Sequence, residues 1–189
     1  MPETKLLVHI CCAHCAAYTI TYWRAEGYDV TGLWYNPNIH PFAEHNSRLE
    51  AVRKLSSVQQ FPLVVIDGYD IEKFFYQTNT TQEARCAHCF ELRLKKTAQT
   101  ALEKGITLFT SSLLISPLQQ HQRIISAGQQ ASVCNQSSFL YHDLRKHYSD
   151  SRRMTKPLNL YTQKYCGCLH SEFASHTNKQ KERINDDTH

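Results

Sequence analysis

Eight cysteines in 189 residues constrain this chain more than any other feature. The first group is Val8-His9-Ile10-Cys11-Cys12-Ala13-His14-Cys15, where an apolar run from Leu6 to Ile10 breaks off at adjacent thiols and a third follows. Ala16 to Glu26 then reads as a helix, with Ala16, Ile20 and Trp23 on one face. The stretch is a strand, a tight turn and a helix start, with thiols where a mononucleotide-binding fold would keep a phosphate loop. Free backbone N–H groups and the helix dipole at such a turn favour anions, thiolates included. Two more groups follow, Cys86-Ala87-His88-Cys89 and Cys166-Gly167-Cys168, while Cys134 stands alone and is expected to be a buried small hydrophobe.

No apolar run is long enough to span a bilayer, and residues 1–15 lack the apolar core of a signal peptide. The chain is therefore expected in the cytoplasm, with no membrane partner and with reduced thiols. In that compartment grouped cysteines signal metal or redox chemistry rather than disulfides. Hydrophobic content of 41% and charged content of 20% suit a folded core. Residues 1–177 are expected to form a single α/β catalytic domain that includes the Cys-Gly-Cys region, and 178–189 a polar, frayed tail. A net charge of +4 permits a nucleic-acid partner without demanding one.

Strand-like runs at Leu6–Ile10, Asp29–Tyr35, Phe61–Ile66, Leu108–Thr110 and Phe139–His142 alternate with helical patterns. Those helices are expected over Phe42–Ser57, Ile71–Tyr76, Phe90–Lys104 (closed by Gly105) and Leu118–Ala127. The alternation predicts an α/β fold, a parallel sheet with flanking helices. Asn36-Pro37-Asn38-Ile39-His40-Pro41 is a stiff loop. The hydroxyls of Ser111 and Ser112 fall at a strand's C-terminal end, where open α/β sheets bind ligands.

Cys86-x-x-Cys89, expected to open the Phe90 helix, leaves zinc, a redox dithiol and an iron–sulfur half-site all open. Together with Cys11 and Cys12 it supplies four thiolates, enough for a structural zinc or a cubane cluster. Neighbouring side chains of an extended chain point apart, which suits separate iron corners better than a single ion. Gly167 lets Cys166 and Cys168 turn to one metal, either a second ion beside a cluster or a zinc knuckle. Arg145, Lys146, Arg152, Arg153, Lys156 and Lys164, interleaved with Tyr148, Tyr161 and Tyr165, could hold phosphates and stack bases, or could be a solvated face. A zinc-stabilised RNA-binding protein and a dithiol oxidoreductase are the competing readings. A tRNA sulfurtransferase is disfavoured, because no Ser-Gly-Gly-x-Asp-Ser loop stands where Cys11 begins.

Five motifs in one order carry a resemblance: Cys11-Cys12-Ala13-His14-Cys15, Tyr35 to Pro41, Arg85-Cys86-x-x-Cys89-x-x-Leu92-Arg93-Leu94, Leu113-Leu114-Ile115-Ser116-Pro117 and Gln163 to Cys168. From about Leu6 to Glu172 the chain resembles the cobalamin-independent epoxyqueuosine reductases of the QueH type. The resemblance implies an adenine nucleotide α-hydrolase-like (HUP/Rossmann-like) fold and the last step of queuosine synthesis. In that step the epoxide of epoxyqueuosine, at the wobble position of a tRNA anticodon, is reduced to the alkene. It also implies a [4Fe–4S] cluster beside an additional iron ion, fed by an external electron donor. Carried over by position, the cluster falls on Cys11, Cys12, Cys86 and Cys89, and the second iron on Cys15, Cys166 and Cys168. Tyr35, Asn38, His40 and Asp143 become candidates for proton supply or ring contacts, and Arg145, Arg152, Arg153, Lys156 and Lys164 for tRNA binding. The family usually has proline at position 14, phenylalanine at 144 and arginine at 162, where this chain has His14, Leu144 and Thr162.

Overall fold

A computed structural model describes residues 4–78 and 80–186, the side chains of 178–186 excepted. The strands are β1 (Thr4–His9), β2 (Tyr28–Trp34), β3 (Leu63–Val65), β4 (Leu108–Ser111) and β5 (Ser138–Phe139). The helices are α1 (Ala13–Ala25), α2 (Phe42–Gln59), α3 (Ile71–Thr78), α4 (Gln82–Glu103), α5 (His121–Asn135), α6 (Tyr148–Thr155) and α7 (Leu169–Asp186). All strand pairs are parallel, in the order β3-β2-β1-β4-β5, so the expected α/β architecture is the observed one.

Strand β1 is central and covered on both faces, which explains its unbroken apolar run. Leu6 and Val8 point into a core built with Ala16, Ile20, Val52 and Leu55 of α1 and α2. Leu7, one residue out of step, points into the opposite core with Leu94, Ala98, Phe109 and Ile124. Connections run outward from β1 to β2 on one side and from β4 to β5 on the other. The loops after β1 and β4 therefore part company, leaving the crevice in which open α/β sheets bind ligands. Cys11-Cys12 and Ser111-Ser112 occupy its two lips.

Several elements differ from what the sequence predicts. Helix α4 begins at Gln82, capped by the Thr81 hydroxyl, which accepts the Ala84 N–H at 3.4 Å. Cys86 and Cys89 therefore lie within the helix rather than at its start. Helix α5 begins at His121, beyond the Pro117 turn, and extends to Asn135, where Gln136 turns left-handed. Cys134, near the end of α5, is exposed rather than buried as expected. Strand β5 is only Ser138–Phe139. Helix α6, invisible to apolar periodicity, packs on α1 through hydrogen bonds: the Tyr18 N–H donates to Ser151 Oγ at 3.0 Å, and that hydroxyl donates to the His14 carbonyl. The backbone of α7 runs to Asp186; its side chains from 178 onward and residues 187–189 lie outside the described residues, and the expected frayed tail with them. Among the described residues no helix is long and apolar enough to cross a membrane.

Candidate metal centre

Cys12 ends β1's extended run (φ −168°) and caps α1, its sulfur accepting the Cys15 N–H at 3.3 Å. The turn into the helix brings Cys15 back over Cys12, as residues three apart on a helix face meet. The sulfurs of Cys11, Cys12 and Cys15 consequently lie within 4.8 Å of one another. The adjacent pair, Cys11 and Cys12, is 4.0 Å apart at sulfur because the chain changes from strand to helix between them. Ser112 Oγ across the crevice accepts the Cys11 N–H at 3.2 Å and sits 3.5 Å from its sulfur. Gln163 Nε2 donates to the Cys12 sulfur at 3.0 Å. Leu144 and Ile115 seal Cys12 and Cys15 from behind, so Leu144 contributes apolar cover.

These contacts divide charge unequally. Hydrogen bonds from the Cys11 and Cys15 thiols and the Cys15 N–H hold Cys12 well below the ordinary thiol range. Its hydrogen bond to Cys12 pushes Cys11 up to about 11, and bonding to Cys11 and Cys12 with burial raises Cys15. The triad thus favours one thiolate, at Cys12.

Cys86 and Cys89 sit one turn apart on α4. Burial raises both thiols, Cys89 to about 12, and the nearness of Cys166 and Cys168 adds to each shift. Cys166 also lines, with Cys11 and Cys15, a cavity of about 180 Å³ whose other walls include Asn38, Arg48, Arg93 and Gln163. The Cys-Gly-Cys loop therefore faces the α4 thiols and shares a cavity with the β1–α1 thiols.

That loop belongs to no helix or strand, and a buried ion pair holds it. Arg48, 2% exposed, donates from Nε to Glu44 Oε1 at 2.7 Å and from its two Nη atoms to the Cys166 and Tyr165 carbonyls, each at 2.9 Å. The Tyr161 hydroxyl donates to the other Glu44 oxygen. The His40 N–H donates to the Gly167 carbonyl at 2.7 Å, and the Tyr165 hydroxyl to the His40 carbonyl at 2.6 Å. A Cβ on Gly167 would lie 3.2 Å from both Asn38 Nδ2 and Ile39 Cγ1, so the loop approaches the 36–41 loop closely. Sequence reasoning missed Glu44 and Arg48, whose i, i+4 spacing resembles any surface ion pair. It also left Arg93 without a role. Arg93 is 2% exposed, donates from Nε to the Cys89 carbonyl at 2.9 Å, and has no carboxylate partner among the described residues.

The other expected residues are scattered around this centre. Asn38 is buried on the thiol cavity, with Oδ1 unpartnered. His40 is fully buried among Tyr69, Phe74 and Phe75; neither ring nitrogen has a partner, and burial lowers it to about 4. Tyr35 lines a different cavity, over the ends of β2 and β3. Asp143 is at the surface, where bonds from Arg145 hold its carboxyl well below the usual range, and it is not brought to the thiols. Arg152 and Lys164 line the thiol cavity. Arg152, Arg153 and Lys156 line an adjoining cavity of about 450 Å³ with His14 and Thr162. His14 Nε2 lies 2.8 Å from Thr162 Oγ1 and Nδ1 2.5 Å from Thr155 Oγ1, so the residues at the two positions that the resemblance singles out bond to each other.

The sequence model of the family described as epoxyqueuosine reductase QueH matches residues 6–174. A Dehalococcoides mccartyi protein named epoxyqueuosine reductase QueH is 49% identical over 169 residues, covering 89% of this chain and 93% of that protein. The chain belongs to the epoxyqueuosine reductase QueH family. A QueH of Histophilus somni is 34% identical, over 95% of this chain and 76% of its own length. Among solved structures, the U34-tRNA thiolase NcsA from Methanococcus maripaludis with its [4Fe-4S] cluster is similar, with a TM-score of 0.58 at 10% identity, over 98% of this chain and 68% of that one. That likeness carries the fold alone, a parallel sheet with flanking helices. The QueH match spans all three cysteine groups and stops before the polar end of α7.

Proposed function

We propose that this QueH family member reduces the epoxide of epoxyqueuosine in tRNA to the alkene of queuosine, in the cytoplasm and without cobalamin. Residues 1–177 form the catalytic unit, and the electrons come from an external donor. The observation that carries the reading is the convergence of Cys11, Cys12 and Cys15, sulfurs within 4.8 Å of one another, in a cavity that Cys166 also lines. Buried thiols of this number and closeness fit an iron–sulfur centre far better than apolar packing. Cys11, Cys12, Cys86 and Cys89 would hold a [4Fe–4S] cluster, and Cys15, Cys166 and Cys168 a second iron. The closeness of Cys15 to Cys11 and Cys12 supports neighbouring centres.

When bound, such a centre supplies single electrons and a Lewis-acidic iron for the epoxide C–O bond. The chain's own residues prepare that site. Gln163 and the Cys15 N–H stabilise negative charge on the Cys12 sulfur. Arg93, a buried cation beside the thiols, offsets their charge. Asn38 offers an amide to the modified ring. The net reaction takes two electrons and two protons; Tyr35, Asn38, His40 and Asp143 are the groups proposed for proton supply or ring contact. His40, neutral and sealed, suits an orienting role, and Asp143 suits a place near incoming RNA. Arg145, Arg152, Arg153, Lys156 and Lys164 are the groups proposed as phosphate contacts; Arg152 and Lys164 line the thiol cavity, and Arg152, Arg153 and Lys156 the adjoining one.

Turnover of epoxyqueuosine-containing tRNA with anaerobically purified protein and a chemical reductant tests the reading. Brown protein that forms queuosine is the expected outcome. Colourless protein with stoichiometric zinc and no turnover would instead indicate a zinc-stabilised RNA-binding protein.

A further inference from the structure

A cavity of about 530 Å³, larger than the one between the thiols, lies over the C-terminal ends of β2 and β3. Its volume falls in the range of small-ligand sites, and of its lining residues only Tyr35 carries a role above. Tyr35, Tyr69 and Phe74 line it, together with Lys73 of α3 and Lys96 of α4. Neither lysine forms an ion pair among the described residues. Asp67 and Asp70 also line the cavity, each with one oxygen engaged by backbone: Asp67 Oδ1 accepts the Tyr69 N–H at 3.3 Å, and Asp70 Oδ1 the Lys73 N–H at 2.9 Å. The cavity therefore pairs flat aromatic walls with cations drawn from two helices.

Its inner wall is joined to the thiol side through the sheet's apolar core. Tyr35 packs on the same apolar cluster as Cys11 and Cys86. The next residue, Asn36, ties the end of β2 to that of β1 by donating from Nδ2 to the Ile10 carbonyl at 2.8 Å. A Cβ on Gly68 would come within 2.4 Å of Tyr35 Cε2, so a glycine there is what lets the ring lie against the 67–70 turn. Aromatic faces beside paired ammonium groups are the chemistry that holds a single-stranded nucleotide, base by stacking and phosphate by charge.

We propose that this cavity holds an unpaired nucleotide of the RNA substrate next to the one whose modified base enters the thiol cavity. Its base lies against Tyr69, and its phosphate between Lys73 and Lys96. The proposal rests on the reading of the chain as a tRNA-modifying reductase.

The test is fluorescence anisotropy of a labelled anticodon stem-loop RNA on the metal-loaded protein across a salt series. Lys73→Ala combined with Lys96→Ala should weaken binding about tenfold and make the slope of log K against log salt shallower by about 1. Tyr69→Ala should weaken binding about tenfold with the slope unchanged. Iron content should match the parent in each variant. Parental affinity and slope in the double-lysine variant would overturn the proposal. Failure of the parent itself to bind the stem-loop would remove the RNA reading instead. Free 5′-mononucleotides that bind the parent, and bind the lysine variant less, would make the cavity a cofactor site and overturn the assignment to RNA.

Discussion

The two ends of the chain deliver thiols to one place by different means. Cys11, Cys12 and Cys15 are set by a strand running into a capped helix, so backbone geometry fixes them before any side chain contributes. Cys166 and Cys168 sit in a loop without regular hydrogen bonding, and its position depends on the guanidinium of Arg48 and the carboxylate of Glu44. The first arrangement is as robust as the sheet. The second hangs on a few specific bonds, those of Arg48 first and those between the 165–167 segment and His40 beside them, and that contrast can be tested directly.

All-or-none effects are expected at the sulfurs. Cys12→Ser should abolish visible absorbance and bound sulfide, whereas Cys168→Ser should lose iron yet keep the cluster absorbance. Iron and sulfide analysis on anaerobic protein reads both, and complete bleaching by Cys168→Ser would remove the proposed division of ligands. Next in size is Arg48→Ala, which strands the buried Glu44 carboxylate and should cost about 3–5 kcal/mol in urea unfolding. It should also lower iron retention while leaving the Cys15 N–H bond to Cys12 in place. If the variant kept parental stability, the loop would not depend on the ion pair.

Acid should probe the same loop through His40, whose N–H binds Gly167. Burial lowers its pKa from 6.5 to about 4, so the unfolded chain takes up the proton first as pH falls. The stability that this group contributes is complete above pH 6.5 and is lost as pH drops toward 4. His40→Gln should flatten that part of the stability–pH curve in denaturant titrations. The smallest effect belongs to His14 and Thr162. His14→Pro and Thr162→Arg should be non-additive by about 1 kcal/mol in a double-mutant cycle, because they share a hydrogen bond. Strict additivity would mean the contact contributes nothing.

The same contrast explains what the sequence revealed. Strands β1 and β2 are legible as short apolar runs, and helix α2 because its buried positions recur with the period of a helix. The thiols are legible as ligands because packing alone does not call for adjacent cysteines. Which sulfurs meet is not legible, since Cys11, Cys12 and Cys15 converge only through the strand-to-helix turn, and α4's early start at Gln82 moves Cys86 and Cys89 into the helix. Helix α6 is too short and polar to show a stripe; Ser151 and Thr155, its buried residues, dock by hydrogen bonds. Arg48 and Glu44 look like solvent-facing partners until the fold closes over them. His14 and Thr162 read as unrelated departures because their contact joins α1 to a segment far along the chain.

Cys15 and Cys166 look into one cavity from opposite ends of the polypeptide. An ion gripped from both sides would act as a clasp around nearly the whole domain, shrinking the freedom of the unfolded chain as a long-range cross-link does. The clasp cannot fasten until the carboxyl-terminal segment has left the ribosome. A centre of that kind would be completed only once Cys166 and Cys168 are in place, and chelators should release the Cys-Gly-Cys loop before they disturb the sheet.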